Sequence, residues 1–469
     1  MRQQSSLFVL VCAIIAPALL IGCGGGSGLK SSSGGAALAL TVSSSSTCGG
    51  PGSSFSHIYV TIRDVQISPN ANATPGDGSF IDLTPGLSSN PQQIDLMGKP
   101  NQCFLSTLGS NLSLNPGTYT QLRMVLASDG TNIPGNKCGL AANCVTLRGD
   151  PLGTPHAIQV GSETTAGIEI PSNNIAGGSF RLVAGQQQNL NVNFDACASV
   201  VTMGGNQFRL EAVLFAGDTG ASSPVVNGQL VDSATTLPVP SGQFTVALEQ
   251  LDSRSVDRVM METGTDAQGN FQFCPVPAGH YDVVASGMRT DTNATFGATA
   301  TLSVPGNTNL GQVPMTAVSG NGLTAAINGS IDISGATPPS FVDITVSALQ
   351  LIASSGLGGT NLTVPLLASP SATASIATPS GCISGMQCAP FSIAVPAATP
   401  VIGQFNSSGT TYNPTSGQVN YSVEGNAFIP LTGGTPDCSP SFQSILATNL
   451  TPGASQDLTP NPLSFSGCQ

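Results

Sequence analysis

Apolar and polar residues alternate with a period of two along much of this chain. Ile58, Val60 and Ile62 interleave with Tyr59, Thr61 and Arg63. Val342, Ile344, Val346 and Ala348 interleave with Asp343, Thr345 and Ser347, and Val419, Tyr421 and Val423 repeat the pattern. A period of two puts every second side chain on one face, which is the pattern of a half-buried strand. Turn chemistry punctuates these runs at Asn115-Pro116-Gly117, Ser128-Asp129-Gly130, Pro134-Gly135-Asn136 and Thr432-Gly433-Gly434. Beyond the first two dozen residues no stretch sustains a helical period. Many short strands with Gly, Pro and Asn between them predict an all-β protein of tandem β-sandwich domains. Ser-, Ala- and Pro-rich stretches at 367–380 and 395–415 read as long loops.

The N-terminus has a different pattern. An apolar run from Leu7 to Ile21 is fifteen residues long and interrupted by Pro17. That is short for a membrane span, which needs about 20 residues, and fits the apolar region of a secretory signal at 1–22. Leu20-Ile21-Gly22-Cys23 resembles the bacterial lipobox, which implies that Cys23 is diacylated and becomes the new N-terminus, anchoring the chain to a membrane. Gly24-Gly25-Gly26-Ser27-Gly28 opens a flexible tether over 23–35. Gly24 is not the Asp of an inner-membrane retention signal, so the expected place is the cell envelope at the outer membrane, facing the periplasm or the surface.

Composition narrows the field further. The 469 residues carry 12 Lys+Arg against 24 Asp+Glu, a formal charge of −12, which argues against nucleic acid as a partner. With 40% hydrophobic and only 8% charged residues, the chain is unlike a disordered one. No Lys or Arg follows Arg289, so the surface of the last 180 residues must be wetted by Ser, Thr, Asn and Gln. Ten cysteines remain once Cys12 and Cys23 are set aside, which in an exported chain reads as a disulfide framework. Cys138 with Cys144 and Cys382 with Cys388 are the closest local pairs, and Cys438 with Cys468 is a further candidate. No CxxC or Cys/His spacing suggests zinc.

Composition shifts place boundaries near 221–224 and 317–322. The first unit, 36–217, carries Phe55-Ser56-His57-Ile58-Tyr59-Val60-Thr61-Ile62, Gln93-Ile94-Asp95-Leu96, Pro116-Gly117-Thr118-Tyr119-Thr120-Gln121-Leu122-Arg123, Asn193-Phe194-Asp195-Ala196 and Phe208-Arg209-Leu210-Glu211-Ala212-Val213. In these it resembles the bacterial domain of unknown function 4382 family, usually found in exported lipoproteins. It departs from that pattern in its cysteines, above all the Cys138–Cys144 insertion, and at Asn193, where Asp is common. The second unit, 225–315, carries Gly228-Gln229-Leu230-Val231-Asp232, Thr265-Asp266-Ala267-Gln268-Gly269-Asn270-Phe271-Gln272-Phe273 and Val276-Pro277-Ala278-Gly279-His280-Tyr281-Asp282-Val283. It resembles a carboxypeptidase regulatory-like domain, a transthyretin-type sandwich of the carbohydrate-binding-like group, which implies a core position for Tyr281 and no peptidase activity. The third unit, 320–469, reads as another β-rich domain, of no family that its residues identify. Five cysteines in the first unit and one in the second leave an odd thiol in each. Either an inter-domain bridge through Cys274 or two unpaired thiols would account for that.

Candidate chemistry is sparse. His57, His156 and His280 lie far apart in sequence, with no GxSxG elbow beside them. Asp266, Gly269 and Asn270 supply too few oxygens in a row for calcium and read as a turn. Sugar-binding platforms use exposed aromatic rings, and the chain has no Trp and five Tyr. The expectation is a non-catalytic protein without cofactor or metal, anchored in the membrane through Cys23, with an envelope protein or polysaccharide as partner. Carbohydrate binding by 225–315 is the alternative, and an envelope hydrolase comes third.

Overall fold

A computed structural model describes residues 35–44, 54–97, 103–196, 198–220, 224–239, 244–252, 254–289, 291–318, 324–335, 342–352, 360–369, 371–377, 386–428, 438 and 441–468. The expected signal segment, Cys23, the tether up to residue 34, Cys48, Cys197, Cys382 and the turn at Thr432 lie outside them. The described residues form strands joined by turns, with three-residue 3-10 helices at Ser162–Thr164, Ser172–Asn174 and Ala176–Gly178. The fold is all-β, organised as tandem sandwiches. Among the described residues no helix is long and apolar enough to cross a membrane.

The first sandwich is organised on the strand Phe55–Ser68. Ile58, Val60 and Ile62 are fully buried, then Val65 and Ile67. The switch from even to odd positions coincides with a register shift between Ile62 and Asp64 against the strand Gln121–Leu126. An extra residue in one strand flips which face its later side chains occupy. This strand also pairs with Gln92–Asp95 and Cys144–Leu147, within a nine-stranded sheet. Facing it is a four-stranded sheet in the order Leu214–Asp218, Gln187–Phe194, Ala36–Ser44, Ser106–Leu114. Leu38, Leu40 and Val42 of Ala36–Ser44 share one core with Ile58, Val60 and Ile62. On the other face a polar ladder joins its central strands: Thr41 Oγ1 donates to Asn191 Oδ1 at 3.0 Å, and Ser43 Oγ to Asn193 Oδ1 at 3.0 Å.

Further along, a three-stranded sheet (Asn270–Phe273, Val226–Asp232, Thr308–Met315) and a four-stranded one (Met386–Val395, Ala325–Ser334, with Ser455–Asp457 and Leu463–Phe465) each accompany part of an eleven-stranded sheet. That large sheet includes His280–Arg289 and Ala294–Pro305, whose residues serve two cores. Tyr281, Val283, Ala285 and Phe296 belong to one; Val284, Ala298, Ala300 and Leu302 belong to the next. In His280–Arg289 the odd positions Tyr281, Val283 and Ala285 serve one core and the even Val284 the other, so apolar residues run unbroken from Val283 to Ala285. Parallel pairing of Val256 and Asp257 with Asn361 and Leu362, and of Thr299–Leu302 with Val401–Gln404, carries the sheet across the stretch where composition placed the third unit's start.

The stretches expected as long loops are not wholly so. Ala374–Ile376, Val401–Gln404 and Tyr412–Pro414 are short strands in the large sheet. Segments of three or four residues gain their hydrogen bonds from a preformed neighbour, so composition alone reads them as loop.

Candidate functional site

The alternation that buries Ile58, Val60 and Ile62 sends His57, Tyr59 and Thr61 to the opposite face. Antiparallel pairing sets Tyr59 across from Asp95 and Thr61 across from Gln93, while Ile94 turns inward. Directly opposed residues on one face of an antiparallel pair interact. His57 Nδ1 meets Asp95 Oδ2 at 2.7 Å, with the two side chains 48% and 29% exposed. The other carboxylate oxygen accepts from the backbone N–H of Met97 at 3.1 Å and of Ile58 at 3.4 Å. The Asp95 carboxyl group is thus held in one orientation. The His57 and Tyr59 rings stack at 5.4 Å and 16°. Partial burial, and next the Asp95 carboxylate, holds the Tyr59 phenol above its ordinary pKa.

Beside this face runs a groove of about 460 Å³, lined by Tyr59, Leu87, Asn90, Gln92, Asp95 and Lys137 together with Pro91, Gln93, Pro134 and Gly135. One wall is the loop 134–142, closed by the Cys138–Cys144 disulfide (S–S 1.98 Å). Gln93 holds that loop to the sheet. Its amide nitrogen donates to Asn136 Oδ1 at 2.9 Å and to the Ala142 carbonyl at 3.2 Å, and its oxygen accepts the Lys137 N–H at 2.8 Å. Asn136 in turn donates to the carbonyls of Gly139 and Ala141. Every polar atom of Gln93 is used, so the wall is built into the fold. The exposed Asn90 and Lys137 stand on the rim.

The three histidines do not converge. His57 faces the groove side of its sheet. His156 pairs with Val145, which pairs with Ile58, so it lies on the interior side, edge-on to the Phe208 ring at 5.9 Å. His280 opens a different strand and is exposed. Asp266 makes a turn: its Oδ1 accepts the N–H groups of Gln268 and Asn270, and Gly269 adopts φ +73°, where a Cβ would meet the Leu230 carbonyl at 2.6 Å. Among the described residues no three His, Cys, Asp or Glu side chains are grouped to hold a metal.

Of the remaining cysteines, Cys438 and Cys468 are joined (S–S 1.99 Å). Cys388 is disulfide-bonded, while Cys382 lies outside the described residues. Cys103 and Cys274 form a bridge across 171 residues of sequence, between the first and second expected units, which answers the odd cysteine counts. Other contacts reinforce that junction. Ala278 N–H donates to the Asp218 carbonyl at 3.0 Å, Phe215 joins the second core, and a Cβ on Gly217 would strike Pro277 at 2.6 Å.

Sequence reasoning passed over two features. Tyr119 and Tyr281 each donate a hydroxyl to the carbonyl four residues back, Asn115 and Pro277, both at 2.9 Å. In each case a glycine stands two residues before the tyrosine, at Gly117 and Gly279. That shared spacing was the available signal. The second feature is a group of interior acids. Asp257, buried and against Asp282, has its carboxyl pushed up to about 8. Glu249, held by the Thr363 N–H at 3.1 Å, lies well above the usual carboxyl range, through burial first and Asp257 second. Glu262 is raised likewise by burial and by Asp195 of the first unit. No periodicity marks such acids, because each is isolated in sequence.

Fold and groove together define an all-β protein of tandem sandwiches with a recessed polar site on its first unit. Residues 38–212 match the family described as "Domain of unknown function (DUF4382)". No curated protein matches this chain. Among solved structures it has distant likenesses to the Bacillus anthracis TIE protein (8% identity, 91% of this chain and 50% of that one, TM-score 0.16). Others are a streptococcal ancillary pilin (9%, 92% and 99%, TM-score 0.16) and a candidate adhesin of Bacteroides ovatus (11%, 52% and 93%, TM-score 0.17). The chain spans half the length of the TIE protein. At these scores the likenesses assign no role.

Proposed function

We propose that the protein is a non-catalytic, lipid-anchored component of the cell envelope, which presents tandem β-sandwich units at the outer membrane and binds through the groove of its first unit. The observation that carries this reading is the composition of the groove. Its lining holds an imidazole-oriented carboxylate, an exposed amide and an ammonium against a wall that the fold itself holds in place. Binding needs only fixed polar groups in a preformed recess.

The rest of the reading draws on the sequence. Leu20-Ile21-Gly22-Cys23 supplies the anchor and Gly24 the outer-membrane destination. The 225–315 segment is read as a carboxypeptidase regulatory-like unit, which the interior positions of Phe271, Phe273 and Tyr281 support. Its rings Phe244, Phe271, Phe273, Tyr281 and Phe296 are all buried, which favours the first unit over this one as the ligand-contacting surface.

Two measurements test the reading. Wild-type protein sediments with membranes and the Cys23→Ala variant is released; a variant that stays membrane-bound removes the anchor. The released protein rebinds saturably to cells or to the matrix they deposit, and rebinding is lost in Asp95→Asn. Absence of rebinding removes the binding role.

A further inference from the structure

We propose that the groove over Tyr59 and Asp95 takes a short stretch of a neutral saccharide. This rests on the reading of the groove as a binding site and adds the chemical class of what it binds. Four features carry it. First, Tyr59 lines the groove and its ring is stacked with that of His57. Flat rings with an electron-rich face suit the C–H faces of a pyranose. Second, Asp95 is held by His57 and two backbone N–H groups, so its remaining lone pairs are fixed in direction. A carboxylate is an acceptor only, and vicinal hydroxyls are its natural neutral donors. Third, the rim offers the Asn90 amide, which donates and accepts, and the ammonium of Lys137, one of only three lysines in the chain. A carboxylate that only accepts and an ammonium that only donates are both satisfied by sugar hydroxyls, which do both. Fourth, the wall is held in advance by the Cys138–Cys144 bond and by Gln93, which reduces the ordering cost of binding.

The recess of about 460 Å³ lies within the range of small-ligand sites, about 300–1,000 Å³. That suits a few sugar rings better than a folded partner. A peptide added as a strand would need free backbone along an edge. The strand beside the groove, Gln92–Asp95, is four residues long and preceded by Pro91, so it offers little to such an addition.

The test is calorimetric titration of the full mature chain with neutral tetrasaccharides of glucose, mannose and galactose, and with tetragalacturonate as the anionic counterpart. At least one neutral tetrasaccharide is expected to bind saturably, and more tightly than the uronate. Tyr59→Ala should weaken that binding about tenfold or more, the loss of one ring contact. Asn90→Ala and Lys137→Ala, at exposed positions that leave folding intact, should each weaken it several-fold. Leu446→Ala, on the distant strand Phe442–Ala447, should leave it unchanged. Absence of binding by every neutral tetrasaccharide overturns the proposal. So does binding indifferent to the Tyr59, Asn90 and Lys137 substitutions, or a preference for the uronate. If the chain rebinds to cells but no neutral saccharide competes, the ligand class falls and the binding role stands. If it does not rebind at all, the binding role itself falls.

Discussion

Asp257 shows how one buried side chain sets a property of the whole protein. Its carboxyl is pushed up to about 8 by burial first, then by Asp282 and Asp252, while Arg258 is turned to Glu424 and Asp252. In the unfolded chain the same group titrates near 3.9. The folded state therefore keeps a proton that the unfolded state releases, so its stabilisation is fully present below about pH 4 and is lost as pH rises through about 8. Melting temperature should fall between pH 5 and pH 9, and Asp257→Asn should flatten that slope; a melting temperature that climbs over this interval would contradict the assignment. Tyr281 illustrates a smaller effect. Its buried hydroxyl donates to the Pro277 carbonyl, so Tyr281→Phe should cost about 1–2 kcal/mol, measured by urea denaturation. The sequence signalled the burial of Tyr281 through family resemblance, but the partner of its hydroxyl emerges only from the turn at Gly279.

At the level of elements, periodicity made the strands around 58–62 and 342–348 legible, because their apolar face is continuous. It could not show that Gln92–Asp95 pairs with Phe55–Ser68 in the register that joins Tyr59 to Asp95. That register is set by core packing of Ile94 and by the turns between, 38 residues of sequence away from His57. Gln93, Asp95 and the Cys138–Cys144 loop were all visible as residues, yet the groove exists only in their pairing. The same logic gives a local prediction. Gln93→Ala removes the hydrogen bonds that hold 134–142, so amide exchange in that loop should accelerate about tenfold or more while Ile58, Val60 and Ile62 keep their protection. Uniform acceleration across the sheet would mean that Gln93 supports the fold rather than the wall.

For the whole molecule, the cores are not beads on a string. Val284 and Ala300 face one core while Tyr281 and Phe296 face another, and Cys103–Cys274 ties the first sandwich to the second unit. A protease site engineered into 221–223 should therefore yield two fragments that migrate together until a reductant is added. Cys103→Ala with Cys274→Ala should lower stability by about 2–5 kcal/mol. Fragments that part without reduction would show the bridge to be unformed. This shared construction was hard to foresee, since parallel joins such as Thr299–Leu302 with Val401–Gln404 connect segments about a hundred residues apart and leave no local trace.

The place of Ala36–Ser44 has a mechanical consequence. The strand is gripped on both sides, by Gln187–Phe194 in parallel and by Ser106–Leu114 antiparallel. If the chain is tethered ahead of it and a ligand pulls on the groove, the load runs along this strand, perpendicular to its hydrogen bonds. Both ladders are then sheared as a unit instead of being peeled one rung at a time. With such a tether, Ala36–Ser44 would be the strand that takes the tension.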